Sequence, residues 1–219
     1  MTKLKKFFIG SLVGFINGFF ASGGGIVAVL SLKKFMKLEE KKLSSEEIFD
    51  GVAIHLFKDE ILLPNGNKGV REVIRHPGAV CVLPFTEDGQ VVFVNQFRYA
   101  LNKVTLEVPA GKLEKGEDPM EAALRELSEE TGLTANNIFP IGDLYTTPAL
   151  IDEVIHMYIA TDLVEGEQHL DEDEFVNTLK MPLSEAVRMV MNGEIKDSKT
   201  QTIILKADKY FEGQKEGNK

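Results

Sequence analysis

The sequence is short of several things, and each shortage removes a class of function. It has one cysteine, Cys81, in 219 residues. No disulfide can form within the chain, which fits a reducing compartment. Cys81 lies in the apolar run Ala79-Val80-Cys81-Val82-Leu83 and reads as a buried strand residue, not a nucleophile. The four histidines, His55, His76, His156 and His169, lack the spacing of zinc ligands and read as structural or surface groups. Positive charge is scarce as well. A formal net charge of −9 argues against nucleic-acid backbone binding as the main activity. An acidic enzyme still binds an anionic substrate where metal ions supply the positive charge. No internal repeat is visible, and this length accommodates one sizeable domain or one domain with an appendage.

Residues 7 to 32 lack charge entirely. As a helix this run would extend about 39 Å, enough to cross a bilayer with tilt. Lys3, Lys5 and Lys6 precede it and Lys33, Lys34 and Lys37 follow it, so charge leaves its orientation open. Gly10, Gly14, Gly18 and Ser22 form a small-residue stripe, and Gly23-Gly24-Gly25 is a possible break. A membrane anchor is the first reading. A cleaved signal peptide, with Ala21-Ser22-Gly23 as cleavage region, is the second. The third is a recombined fragment, because residues 10–42 resemble the first span of TauE/SafE-type membrane exporters. One such span implies ancestry and not transport. The expected division is therefore residues 1–38 as an apolar segment and 39–219 as the soluble domain.

From about Ser44 the text is that of an α/β domain. Residues 51–63 alternate like a strand and end at the turn signal Pro64-Asn65-Gly66. Residues 79–85 and 91–97 read as strands joined by the hairpin connection Glu87-Asp88-Gly89. Strands are expected near 138–146 and 154–160, an acidic loop at 165–174, and helices near 183–192 and 198–211.

Residues 111 to 133, GKLEKGEDPMEAALRELSEETGL, carry the chemistry. Asp118 reads as a helix N-cap, Pro119 as the first helical residue, Glu121 as the capping-box partner and Gly132 as the stop. Met120, Leu124, Leu127 and Thr131 recur at helical spacing and predict the buried stripe. Glu126, Glu129 and Glu130 fall together on another face, since residues three and four apart are helix neighbours. Clustered carboxylates repel one another unless a hard cation such as Mg²⁺, which takes oxygen ligands beside substrate phosphates, joins them. Otherwise they form a solvated acidic face. Gly111, Glu117, Arg125-Glu126-Leu127, Glu129-Glu130 and Gly132-Leu133 fill every defining position of a pattern that resembles the Nudix box. Chance would produce it on the order of once in a million sequences or more rarely.

The Nudix resemblance implies an α/β (α+β) fold with a mixed β-sheet sandwiched between helices, here preceded by an N-terminal apolar helix. Further segments narrow it. His76-Pro77-Gly78-Ala79-Val80, Gln96-Phe97-Arg98, residues 106–111, and Thr147-Pro148 followed by Asp152-Glu153 resemble bacterial ADP-ribose pyrophosphatases over residues 44–211. The chain departs from that subgroup at Pro148-Ala149-Leu150, where Pro-Gly-Phe is usual. The resemblance implies Mg²⁺, or Mn²⁺ in its place, held by the Ala110 carbonyl, Glu126 and Glu130, with Glu129 serving a further ion. Arg125 is expected to pair with box carboxylates and Glu117 to tie the loop down. Arg98 is implied as a phosphate contact, and Glu107 as a contact to the adenosine part. Glu72 is implied as an adenine contact from the neighbouring subunit of a homodimer. Glu172 aligns with the catalytic glutamate, with Glu174 second. The expected reaction is hydrolysis of a nucleotide sugar, ADP-ribose, to AMP and ribose 5-phosphate, on a domain facing the cytoplasm. The alternatives are another nucleoside diphosphate derivative or (d)NTP as substrate, a membrane-tethered protein that binds ADP-ribose without cleaving it, and a partner of a membrane transporter.

Overall fold

A computed structural model describes residues 38–170 and 174–217, with side chains to 214. The expected apolar helix at 7–32 and the candidate base Glu172 lie outside the described residues. Among the described residues no helix is long and apolar enough to cross a membrane. The chain divides into two units: residues up to Glu46 with Lys58–Arg71, and Glu47–Phe57 with Glu72 onward.

Three strands, β1 (Lys41–Asp50), β2 (His55–Leu62) and β3 (Lys68–Arg75), form a sheet in that order. Within the first unit, Ser45 donates to Asp59 at 2.5 Å. The Pro64-Asn65-Gly66 turn forms, with Gly66 donating to the Leu63 carbonyl at 2.9 Å and adopting φ 90°. Lys41 and Lys42, the last residues of the exporter-like run, open β1 and do not close a span.

The second unit carries the core. Its strands are β4 (Ala79–Pro84), β5 (Gln90–Arg98), β6 (Lys103–Glu107), β7 (Ala110–Lys112), β8 (Leu133–Tyr145), β9 (Val154–Glu165) and β10 (Val176–Pro182). Its helices are α1 (Pro119–Thr131), α2 (Leu183–Met191) and α3 (Ser198–Gly217). The strands make two sheets, ordered β10-β5-β6 and β7-β4-β9-β8. The second is mixed: β4 runs parallel to β9 and antiparallel to β7. The expectation of one mixed sheet is thus corrected to two. The 87–89 turn forms, but its flanking strands meet only through the Phe85–Val91 bridge before joining different sheets.

The two-residue period of a strand explains the layering. On β4, Ala79, Cys81 and Leu83 face one cluster, with Phe93, Met157, Ile203 and Ile204. Val80 and Val82 face another, with Ala122, Ala123 and Leu127 of α1. A strand apolar on both faces must be covered on both. Here α1 covers one side, and α2 and α3 cover the other. Each fully buried side chain such as Leu83 or Phe93 contributes roughly 1.5–3 kcal/mol.

Candidate active site

Helix α1 starts where its sequence says it should. Asp118 accepts from the Met120 and Glu121 backbone N–H groups at 2.9 and 3.3 Å, and Gly132 ends the helix at φ 70°. The buried face differs from the expected stripe. Ala122, Ala123, Glu126, Leu127 and Glu130 are buried, whereas Met120 is exposed and Leu124 and Thr131 are half-buried. Small alanines let α1 approach the β-sheet closely, and that approach carries two of the three clustered carboxylates inward.

Those carboxylates meet the β7 strand. Glu130 accepts from the Ala110 backbone N–H at 3.0 Å. Glu126 lies against Gly111, where an added Cβ would overlap its carboxylate. Arg125 gathers the rest. It donates to both oxygens of Glu117 at 2.8 and 3.0 Å, and to Glu126 and Glu129 at 2.8 Å each. Glu117 also accepts from the Glu114 N–H at 2.8 Å, which closes the loop before α1. The acidic loop docks at the far end of the helix, where His169 N–H donates to the Glu129 carbonyl at 3.1 Å.

Burial drives the electrostatics. It pushes the Glu130 carboxyl up to about 8; the Ala110 N–H opposes this, and the charges of Glu126 and Glu174 add to it. Burial also raises Glu126, against the opposing hydrogen bond and charge of Arg125. Two buried carboxylates, raised by burial despite Arg125 beside Glu126, are a fit for a hard cation with oxygen ligands. Among the described residues, no three acidic, histidine or cysteine side chains converge as a ready-made metal cluster. Glu126 and Glu129 are instead turned onto Arg125.

A second group sits on the β5–β6 ladder. The two-residue period places Gln96 and Arg98 on the same sheet face as Thr105 and Glu107. Arg98 forks onto Glu107, Nε to Oε1 at 2.7 Å and Nη2 to Oε2 at 2.5 Å. Thr105 donates to Oε1 at 2.6 Å, and Lys199 donates to Oε2. Burial raises the Glu107 pKa, but the Arg98 hydrogen bonds and the Lys199 charge more than reverse this and hold it near 2. His76 Nδ1 accepts from the Gly78 N–H at 3.1 Å, and its Nε2 faces Glu153 at 3.6 Å. Thr146 donates to the other Glu153 oxygen at 2.7 Å.

These groups surround one cavity of about 820 Å³. Arg98, Ala110, Glu126, Glu129 and Glu174 line it. Glu107 and Glu130 stand behind its wall, each 2% exposed. Glu72 is exposed on β3 and is not brought to the cavity.

Residues 75–200 match the family model described as the NUDIX domain. The chain belongs to the Nudix hydrolase family. It is 46% identical over 169 residues to the ADP-ribose pyrophosphatase of Bacillus subtilis (strain 168), covering 76% of this chain and 91% of that protein. It is equally similar, 46% over 164 residues, to the methanol dehydrogenase activator of Bacillus methanolicus, covering 74% and 89%. A crystal structure of an ADP compounds hydrolase superposes with TM-score 0.74 at 22% identity, covering 81% of this chain and 97% of that one. That likeness is one of fold.

Within the Nudix unit, His76, Lys199 and Asp197 also line the cavity. From its spacing His76 reads as a structural or surface group, and no motif singles out Lys199 or Asp197. Their one local signal was the N-cap pattern Asp197-Ser198-Lys199-Thr200 at the start of α3. There Asp197 accepts from the Thr200 N–H at 2.9 Å.

Proposed function

We propose that this Nudix hydrolase cleaves the diphosphate of ADP-ribose to AMP and ribose 5-phosphate, with Mg²⁺ as the activating ion. One observation supports it above the rest: two buried carboxylates, Glu126 and Glu130, lodged against Gly111 and Ala110 beside a cavity of nucleotide-sugar size. Glu126, Glu130 and the Ala110 carbonyl would hold the ion, with Glu129 serving a further one. When bound, such an ion neutralises diphosphate charge and lowers the pKa of bound water.

The chain's own groups supply the rest. Arg98 orients the diphosphate from the β5–β6 ladder. Glu172 of the acidic loop takes the proton from the attacking water, with Glu174 as the second candidate. The water oxygen bonds to one phosphorus, the bridging P–O bond breaks, and its electron pair leaves with the other phosphate. Gly111 must stay a glycine because Glu126 occupies the place of a side chain.

Exposed Glu72 is assigned to the site of a second copy in a homodimer. Residues 7–32 are assigned to a membrane anchor that leaves the enzyme facing the cytoplasm.

Turnover of a panel of nucleotide sugars and nucleoside triphosphates by the purified protein tests the substrate. The largest kcat/KM is expected for ADP-ribose. A triphosphate preferred over every diphosphate sugar would reject the reading.

A further inference from the structure

Behind Arg98 lies a charged group, Glu107 with Lys199 and Asp197, in which Lys199 has so far been given no role. Glu107 is 2% exposed and accepts four hydrogen bonds, two on each oxygen. Arg98 supplies two of them through its planar fork, so the plane of the carboxylate sets the plane of the guanidinium. The Arg98 side chain is 41% exposed and lines the cavity. Lys199 approaches Glu107 from α3, with a side chain only 10% exposed. It also donates to Asp197 Oδ2 at 3.1 Å. Asp197 in turn accepts from the Thr200 N–H at 2.9 Å and from its hydroxyl at 2.6 Å. Thr200 accepts from the Val108 N–H at 3.0 Å, beside Glu107 in the chain. The start of α3 and the end of β6 are therefore bonded at two points.

We infer that Lys199 is a positioning residue that fixes Arg98 against the diphosphate by holding Glu107 from behind. With Lys199 present, two cations balance Glu107 and Asp197. Without it, Glu107 loses the donor that keeps its Oε2 in place. Arg98 then has no fixed carboxylate to align on. A lysine that touched the substrate independently would act whether or not Arg98 is present; one that acts through Arg98 would not.

This inference rests on the reading of Arg98 as a diphosphate contact, and the test separates the two. ADP-ribose binding is measured by calorimetry in EDTA, so that no turnover intervenes, and kcat and KM are measured with Mg²⁺. The proteins are wild type, Lys199→Met, Arg98→Met and the double variant, each with a thermal melt. Lys199→Met should raise Kd and KM about tenfold with kcat within about twofold, the pattern of lost ground-state binding. In the Arg98→Met background the same change should move Kd by less than about twofold. An equal rise in both backgrounds, or an unchanged Kd in folded Lys199→Met, overturns the inference. Lys199→Gln, which keeps a donor for Glu107, should leave Kd within about twofold of wild type; a tenfold rise in folded Lys199→Gln overturns the inference, and this comparison stands if Lys199→Met melts below the assay temperature. Turnover without this coupling defeats the role of Lys199 alone. Binding and coupling without turnover defeat the proposed reaction alone.

Discussion

Glu130→Gln should abolish most activity and yet make the metal-free protein more stable. Glu130 is 2% exposed, and its folded pKa stands near 8 against 4.5 in an open chain. Below pH 4.5 both states hold the proton and the group contributes nothing to the balance. As pH rises further, the unfolded chain releases the proton while the folded protein keeps it, which favours unfolding. The cost grows until the folded group titrates near pH 8 and then levels off. At pH 7 the difference spans roughly 2.5 units at about 1.36 kcal/mol each, an upper bound of about 3 kcal/mol. Glutamine keeps an oxygen for the Ala110 N–H and carries no charge, so the variant escapes this cost. Part of the gain is lost in finding an acceptor for its amide, leaving about 1–3 kcal/mol. For a chain of this size each kcal/mol moves Tm by roughly 2–4 °C. The assay is thermal unfolding in EDTA from pH 5 to pH 8.5. The variant should melt higher, by a margin that widens with pH, and Mg²⁺ should raise the Tm of the wild type only. A variant that melts at or below the wild type at pH 8, with a gap independent of pH, would refute the reasoning.

Three further outcomes are expected. Gly111→Ala should cut kcat/KM at least a hundredfold (about 3 kcal/mol), because its methyl overlaps the Glu126 carboxylate, with a Tm loss of the size that overpacking gives, about 1–3 kcal/mol; steady-state kinetics and a melt check both. Glu172→Gln should lower kcat far more than KM, as loss of a proton acceptor does; a larger kcat drop in Glu174→Gln would move the base two residues on. Glu107, held near pH 2, contributes stability that is fully present above pH 4.5 and is lost as pH falls toward 2, roughly 3 kcal/mol in all; urea titrations across that window should show this acid limb in the wild type and a flatter one in Glu107→Gln.

Much of the site is legible in the sequence. The caps of α1, the loop ahead of it and the facing of Glu126 and Glu130 follow from spacing alone. So do the buried runs of β4 and β5, whose side chains are apolar on both faces. The errors have physical causes. The apolar stripe of α1 was assigned to its larger residues, Met120 and Leu124, but Ala122 and Ala123 allow close packing and the buried face follows them. β1 was missed because KKLSSEEIFD is polar and exposed throughout, so no period marks it. β10 escaped because it pairs only with β5 at a sheet edge and keeps mostly exposed residues. Lys199 gives no signal near the box. Its place beside Glu107 arises from the return of α3 across the core, a long-range event that local pattern does not record.

The Glu126–Glu130 pair is the proposed holder of the activating ion. Its most direct test is ADP-ribose turnover against Mg²⁺ concentration for wild type, Glu126→Gln and Glu130→Gln. Saturable, EDTA-sensitive release of AMP and ribose 5-phosphate in equal amounts is predicted for the wild type, with most activity lost in each variant while the fold stays intact. Near-wild-type turnover in either variant at saturating Mg²⁺, or undiminished turnover in EDTA, would contradict it.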